Sequence, residues 1–228
     1  GTPLNLFMDT VHSASDHIDL IKFGWGTSVV TSFLKQKVEF LQKNHIDFFF
    51  GGTLFEKFLS QDKLHEYDQY CKMFHCKYVE ISNGTIQMSN YEKSNYIKNF
   101  SRDYTVLSEV GVKDSITSKD QHSNEWIENI LQDFEAGADY VITESRESGT
   151  SGLCAEDGSV RHDIFEQILR SGVPIEKIIF EAPNKNLQSF FITHLGPNVN
   201  LANIAFSDII SVETLRLGLR FDTFYLNG

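Results

Sequence analysis

Four glutamates stand where apolar runs of the chain end: Glu80 after Tyr78-Val79, Glu109 after Val106-Leu-Ser, Glu144 after Tyr140-Val-Ile-Thr and Glu181 after Ile178-Ile-Phe. In a parallel α/β architecture the carboxyl ends of the strands open onto one face, so these four side chains are expected to converge. Carboxylates that share a dehydrated mouth repel one another, and a divalent cation or cationic side chains must balance them. We therefore assign Glu80, Glu144 and Glu181 to a Mg2+ site and Glu109 to the catalytic set. The competing reading pairs some of them with lysine or arginine in structural ion pairs.

Cations are available at the same ends. Lys22 is the one charge in Leu20-Ile-Lys-Phe-Gly-Trp, a segment otherwise too apolar for a surface, so its side chain is expected inside the mouth. With Lys22, Arg146 completes the catalytic set, and Arg161 begins a helix where an anion would lie; the alternative is that either arginine only pins the long loop between them. Gly51 and Gly52 make a strand-to-helix turn whose N-H groups can approach an oxyanion, and Asn200 offers an amide on the last strand. Arg161, Gly51, Gly52 and Asn200 are thus the expected substrate-binding residues. Asp139, at the start of its strand, and Trp126, on a helix, read as structural. So does Cys71-Lys-Met-Phe-His75-Cys76, which falls on a helical pattern with no second ligand pair downstream.

The elements that must carry these residues alternate regularly. Leu4, Phe7, Met8, Val11 and Ala14 form the stripe of a first helix, with Thr2 and Pro3 as its cap and first turn. Strands are predicted over 18-23, 46-50, 77-82, 104-110, 139-144, 177-182 and 198-201. Helices are predicted over 28-43, 54-74, 90-100, 121-136, 161-171, 185-194 and 208-218. Eight helices with seven strands predict a (β/α)8 TIM barrel as a single domain over residues 1-228, its first strand apparently missing from this chain. A seven-strand open sheet is the alternative. A chain of 228 residues plus one strand comes near the roughly 250 typical of the barrel.

Composition narrows the function classes. A net charge of -11 argues against nucleic acid, which calls for a basic face. No run of 18 apolar residues and no signal-peptide pattern occur, which predicts no membrane association and a cytoplasmic location. Three cysteines without a disulfide spacing agree with a reducing compartment. Phe190, Phe191 and Phe224 read as surface aromatics and predict a homo-oligomer.

The segments Ile18-Asp-Leu-Ile-Lys-Phe-Gly-Trp-Gly-Thr27, Gly51-Gly-Thr-Leu-Phe-Glu56, Val79-Glu-Ile-Ser-Asn-Gly84, Leu107-Ser-Glu-Val-Gly111, Arg146-Glu-Ser-Gly149, Phe180-Glu-Ala-Pro183 and Gly196-Pro-Asn-Val-Asn-Leu201 together resemble the phosphosulfolactate synthase family. That resemblance implies a (β/α)8 barrel lyase that adds sulfite to phosphoenolpyruvate with Mg2+, giving (2R)-2-phospho-3-sulfolactate. Its product would serve coenzyme M biosynthesis or accumulate as sulfolactate. Relative to the family pattern, Ser145, Ala202 and Phe221 stand where glycine is common and Asn184 where glutamine is usual. Two rivals remain open at this level. One is another phosphoenolpyruvate-using or aldolase-like lyase, with Lys22 as a Schiff-base nucleophile. The other is a non-catalytic or stress-associated barrel that binds small anions.

Overall fold

A computed structural model describes residues 1-111, 123-145, 153 and 160-226. Seven strands lie in it: β1 (Leu20–Phe23), β2 (Asp47–Phe50), β3 (Tyr78–Ile81), β4 (Thr105–Val110), β5 (Tyr140–Thr143), β6 (Ile178–Glu181) and β7 (Leu201–Ala202). Every pairing between them is parallel. β1 pairs with β2, and β3 to β7 form a second sheet in sequence order, with β2 packed beside β3. Among the described residues the hydrogen-bonded ring is therefore not closed, although the strands keep the order of a barrel.

Nine α-helices are described: α1 (Leu4–Ala14), α2 (Leu34–Lys43), α3 (Gly52–Leu59), α4 (Leu64–Met73), α5 (Asn90–Phe100), α6 (Ser123–Glu135), α7 (His162–Arg170), α8 (Lys185–Leu195) and α9 (Ile209–Arg216). The stretch 54-74, predicted as one helix, is two. Ser60 N-H bonds the Glu56 carbonyl to close α3, and Asp62 then turns the chain with a φ of 57°. Asp tolerates that left-handed conformation, which ends a helix. The stretch 28-43 likewise divides into a 3-10 turn at Thr27–Val29 and α2. Thr2 does not cap α1 through its side chain; its carbonyl accepts from Lys37 Nζ at 2.6 Å instead. No described helix is long and apolar enough to cross a membrane.

Strand periodicity explains how the interior is built. A small buried cluster contains Phe49, Leu107 and Ile142, with Leu20, Tyr78, Tyr140 and Ile179 packed on it. Side chains two residues apart share a face of a strand. Two residues beyond Leu20, Phe49, Tyr78, Leu107, Ile142 and Ile179 stand Lys22, Gly51, Glu80, Glu109, Glu144 and Glu181. The apolar plug thus forms the floor on which the charged layer sits.

The opposite faces of the strands feed two larger cores under the helices. Ile21, Phe48, Phe50, Val79, Ile81 and Val106 belong to one, and Val110, Val141, Ile178 and Phe180 to the other. Trp126 is fully buried in the second, as its structural reading requires. Asp139 also keeps a structural role, accepting from Val106 N-H at 2.8 Å at the start of β5. Phe191 is not a surface aromatic. It is buried in the second core, with Phe190 packed against it, because α8 turns that side of its helix onto β6. Cys71 and Cys76 are buried as well.

Candidate active site

Lys22 leaves the end of β1 and reaches a group of three glutamates from three other strands. Its Nζ lies 2.9 Å from Glu80 Oε2, 3.4 Å from Glu181 Oε1 and 3.7 Å from Glu109 Oε2. The carboxylates are 1%, 4% and 2% exposed, whereas 27% of the Lys22 side chain remains accessible. The Lys22 stem is thus the accessible part of the group, and the carboxylates lie deeper.

Backbone donors fix the glutamates. Gly52 N-H donates to Glu80 Oε1 at 2.7 Å, and Ser145 N-H donates to Glu181 Oε2 at 2.9 Å. At Gly52 a Cβ would come within 2.8 Å of that Glu80 oxygen, so the close approach requires glycine there. At Gly51 a Cβ would lie 3.0 Å from Lys22 Cε, and its absence lets the lysine stem pass. Asn203 Nδ2 donates to the Ser145 carbonyl at 3.2 Å, tying the end of β7 to that of β5. Ser145 acts on Glu181 through its backbone, so its side chain is not what holds the glutamate.

Burial sets the protonation of this group. Burial lowers the affinity of the Lys22 ammonium for its proton, but Glu80, Glu181 and Glu109 outweigh that effect and hold its pKa well above the usual value. Glu80 is pushed up to about 7 by burial, opposed by Lys22 and reinforced by Glu109. Glu181 is raised by the same balance. Among the described residues, one ammonium thus meets three carboxylates.

The structure brings together Lys22, Glu80, Glu109 and Glu181, four of the ten residues singled out for chemistry. Gly51 and Gly52 join them, in a role other than the one expected: Gly52 N-H faces Glu80 of this chain. Glu144 is buried at the end of β5, its Cβ close to Gly111 at the end of β4. Arg161 stands at the start of α7 with its guanidinium 3.0 Å from Asp163. Asn200 is not brought to the mouth. Its amide donates to the carbonyls of Glu176 (2.8 Å) and Ile178 (3.3 Å), at the start of β6, because it precedes β7 rather than ending it. Arg146 lies outside the described residues.

Sequence reasoning missed Glu56 and Ser82. The buried Glu56 carboxylate accepts from Ser82 Oγ and from the N-H groups of Gly84 (3.1 Å) and Thr85 (3.0 Å), and so shapes the loop after β3. A charge inside the apolar run Leu54-Phe55-Glu56 was the available signal. Asn184 accepts from Leu187 N-H at 3.1 Å and caps α8. Among the described residues no three His, Cys, Asp or Glu side chains are grouped closely enough to hold a metal ion, and the Lys22 ammonium occupies the space between the carboxylates.

A partly accessible lysine, buried carboxylates and parallel strand ends together fit an α/β enzyme of the barrel type. Phosphonopyruvate hydrolase, solved in complex with oxalate and Mg2+, has a similar fold, with a TM-score of 0.57 over 93% of this chain and 77% of that one at 12% identity. The family described as (2R)-phospho-3-sulfolactate synthase (ComA) matches residues 1–222. Phosphosulfolactate synthase of Bacillus subtilis (strain 168) is 56% identical over 226 residues, covering 99% of this chain and 90% of that protein. Its namesake in Methanocaldococcus jannaschii is 42% identical over 228 residues, covering 98% and 90%. The chain belongs to the phosphosulfolactate synthase family.

The raised pKa of Glu80 has a measurable consequence. Below its ordinary value of 4.5 the native and unfolded chains are both protonated there; between 4.5 and about 7 the unfolded chain has released a proton that the native chain keeps. Native stability should therefore fall across that window as pH rises. Glu80→Gln, which cannot ionise, should flatten the curve of stability against pH there, as read by urea denaturation of metal-free protein. An unchanged slope would contradict the assignment.

Proposed function

We propose that the chain is a phosphosulfolactate synthase that adds sulfite to phosphoenolpyruvate and gives (2R)-2-phospho-3-sulfolactate. The observation that carries this reading, within the family, is the convergence of Lys22 Nζ with Glu80, Glu109 and Glu181 at the strand ends, with the lysine side chain partly accessible. In the reaction the sulfite lone pair forms a C-S bond to the methylene carbon. The double-bond electrons move onto the substrate carboxylate as an aci-carboxylate, and C2 then takes up a proton.

Lys22 is suited to the charge that develops. Glu80, Glu181 and Glu109 hold its pKa above the usual range, so it carries its charge at neutral pH. We assign it to face the substrate carboxylate, whose negative charge grows in the reaction. Glu109 belongs to the same catalytic set by its place beside Nζ. Arg161, at a helix start, and Arg146 are the residues we propose for phosphate or sulfite, since a guanidinium fork fits either.

Oxygen donors and an excess of buried negative charge suit a hard divalent cation. Glu80, Glu181 and Glu144 are the residues we propose for Mg2+. They are not grouped closely enough to hold an ion as they stand, so binding would require them to move together and Lys22 to yield space. The ion would then supply Lewis-acid stabilisation of the substrate carboxylate. Residues 1-228 are taken as one barrel domain. The exposed Val30, Phe221 and Tyr225 support self-association; light scattering should give a multiple of the 26.0 kDa chain mass, and a monomer at micromolar concentration would contradict this.

Phosphorus NMR of phosphoenolpyruvate incubated with sulfite, Mg2+ and the protein tests the reading. A new phosphoester resonance that requires both sulfite and Mg2+ is expected. Lys22→Met should lower its rate of appearance by about 10²-fold or more while the chain stays folded. No new resonance from folded wild-type protein would overturn the reading, and an unchanged rate in the variant would remove Lys22 from it.

A further inference from the structure

A second buried ion pair lies on the outer side of β4, away from the mouth. Lys93 of α5 and Asp133 of α6 are 2.7 Å apart, with side chains 1% and 0% exposed. Asp133 Oδ2 also accepts from Ser108 Oγ at 2.6 Å, and Ser108 is the residue before Glu109. Lys93 Nζ makes one bond more, donating to the backbone carbonyl of Glu109 at 3.0 Å. The two ends of the pair therefore hold the end of β4, one at the Ser108 side chain and the other at the Glu109 carbonyl.

Stability alone is a weak account of such a pair. Buried ion pairs replaced by well-packed apolar groups are often neutral or stabilising, whereas breaking one by removing a single partner is costly. An apolar pair, however, supplies no donor to the Glu109 carbonyl. The register between β3 and β4 runs to Ile81↔Ser108 and stops one residue short of Glu109. At that point Lys93 takes up the carbonyl. Since Glu109 Oε2 lies 3.7 Å from Lys22 Nζ, a small rotation of this peptide would carry the carboxylate toward or away from the ammonium.

We propose that Lys93, anchored by Asp133, is a positioning residue that fixes the Glu109 peptide and thereby aims its carboxylate at Lys22. The proposal rests on the synthase reading for its effect on rate, and its structural half stands on its own. Asn90 assists from the same helix, its Nδ2 lying 2.9 Å from Gln132 Oε1 and 3.3 Å from Asp133 Oδ1, which holds α5 against α6.

Two readouts on one variant decide it. Lys93→Met combined with Asp133→Asn removes both charges, so no buried charge is left alone, and retains an acceptor for Ser108. Glu109-Val110 is the single Glu-Val dipeptide in the sequence. Labelling glutamate with carbonyl 13C and valine with 15N therefore gives one cross-peak that reports the Glu109 carbonyl. We expect the double variant to fold, its cross-peak to move, and kcat to fall roughly 10- to 100-fold with KM for phosphoenolpyruvate little changed. Lys93→Arg, which keeps charge and donors, should recover most of the rate. A folded double variant with wild-type kcat, or with the cross-peak unmoved, overturns the proposal. If the double variant does not fold, Lys93→Gln, which is shorter and uncharged, decides by the same cross-peak and kcat: a moved peak with a lowered kcat supports the proposal, and a wild-type kcat or an unmoved peak overturns it. Should the wild type form no product, the synthase reading fails and the cross-peak alone decides whether Lys93 sets this peptide.

Discussion

The contact between one ammonium and three buried carboxylates is what the rest of the charged layer depends on. An isolated charge taken out of water costs several kcal/mol even after relaxation, and geometry must repay it. Here Lys22 is shared by Glu80, Glu181 and Glu109 within 2.9 to 3.7 Å. Burial raises Glu80 and Glu181 against the pull of Lys22, while Glu80, Glu181 and Glu109 together hold the Lys22 proton firmly. Such a pocket suits a substrate whose reaction moves negative charge toward Lys22.

Rigid support makes that poise possible. The apolar plug of Phe49, Leu107 and Ile142 excludes water below the charges, and a strand's two-residue period then places the next inward side chains in the mouth. Backbone N-H groups of Gly52 and Ser145 take the outer carboxylate oxygens of Glu80 and Glu181. On the far side of β4, the Lys93 and Asp133 pair holds the Glu109 peptide. Each glutamate that meets Lys22 is thus restrained by a donor from outside its own strand.

Much of this was legible in the sequence, because strand ends are. Apolar runs closing on Glu80, Glu109 and Glu181, and a lone lysine inside Leu20-Ile-Lys-Phe, identify residues that the strands bring together. Spacing says less about which polar partner a backbone group meets. Gly51 and Gly52 looked like an anion cradle, yet the Gly52 amide already faces Glu80. Asn200 sits at the start of its strand because β7 is only Leu201–Ala202, shorter than its apolar pattern suggested. Lys93 and Asp133 lie on helices with several other charged residues, and nothing in their spacing separates an inward-turned charge from a solvated one. Asp62 broke a continuous helical pattern through a backbone angle that composition does not specify.

The most direct test of the central claim, that the buried glutamates hold more negative charge than Lys22 can balance, is divalent cation binding to purified protein without substrate. Electron paramagnetic resonance with Mn2+ as the probe should show one bound ion per chain in the wild type and its loss in the Glu80→Gln, Glu181→Gln double variant. Equal binding by both proteins, or none by the wild type, would contradict the account.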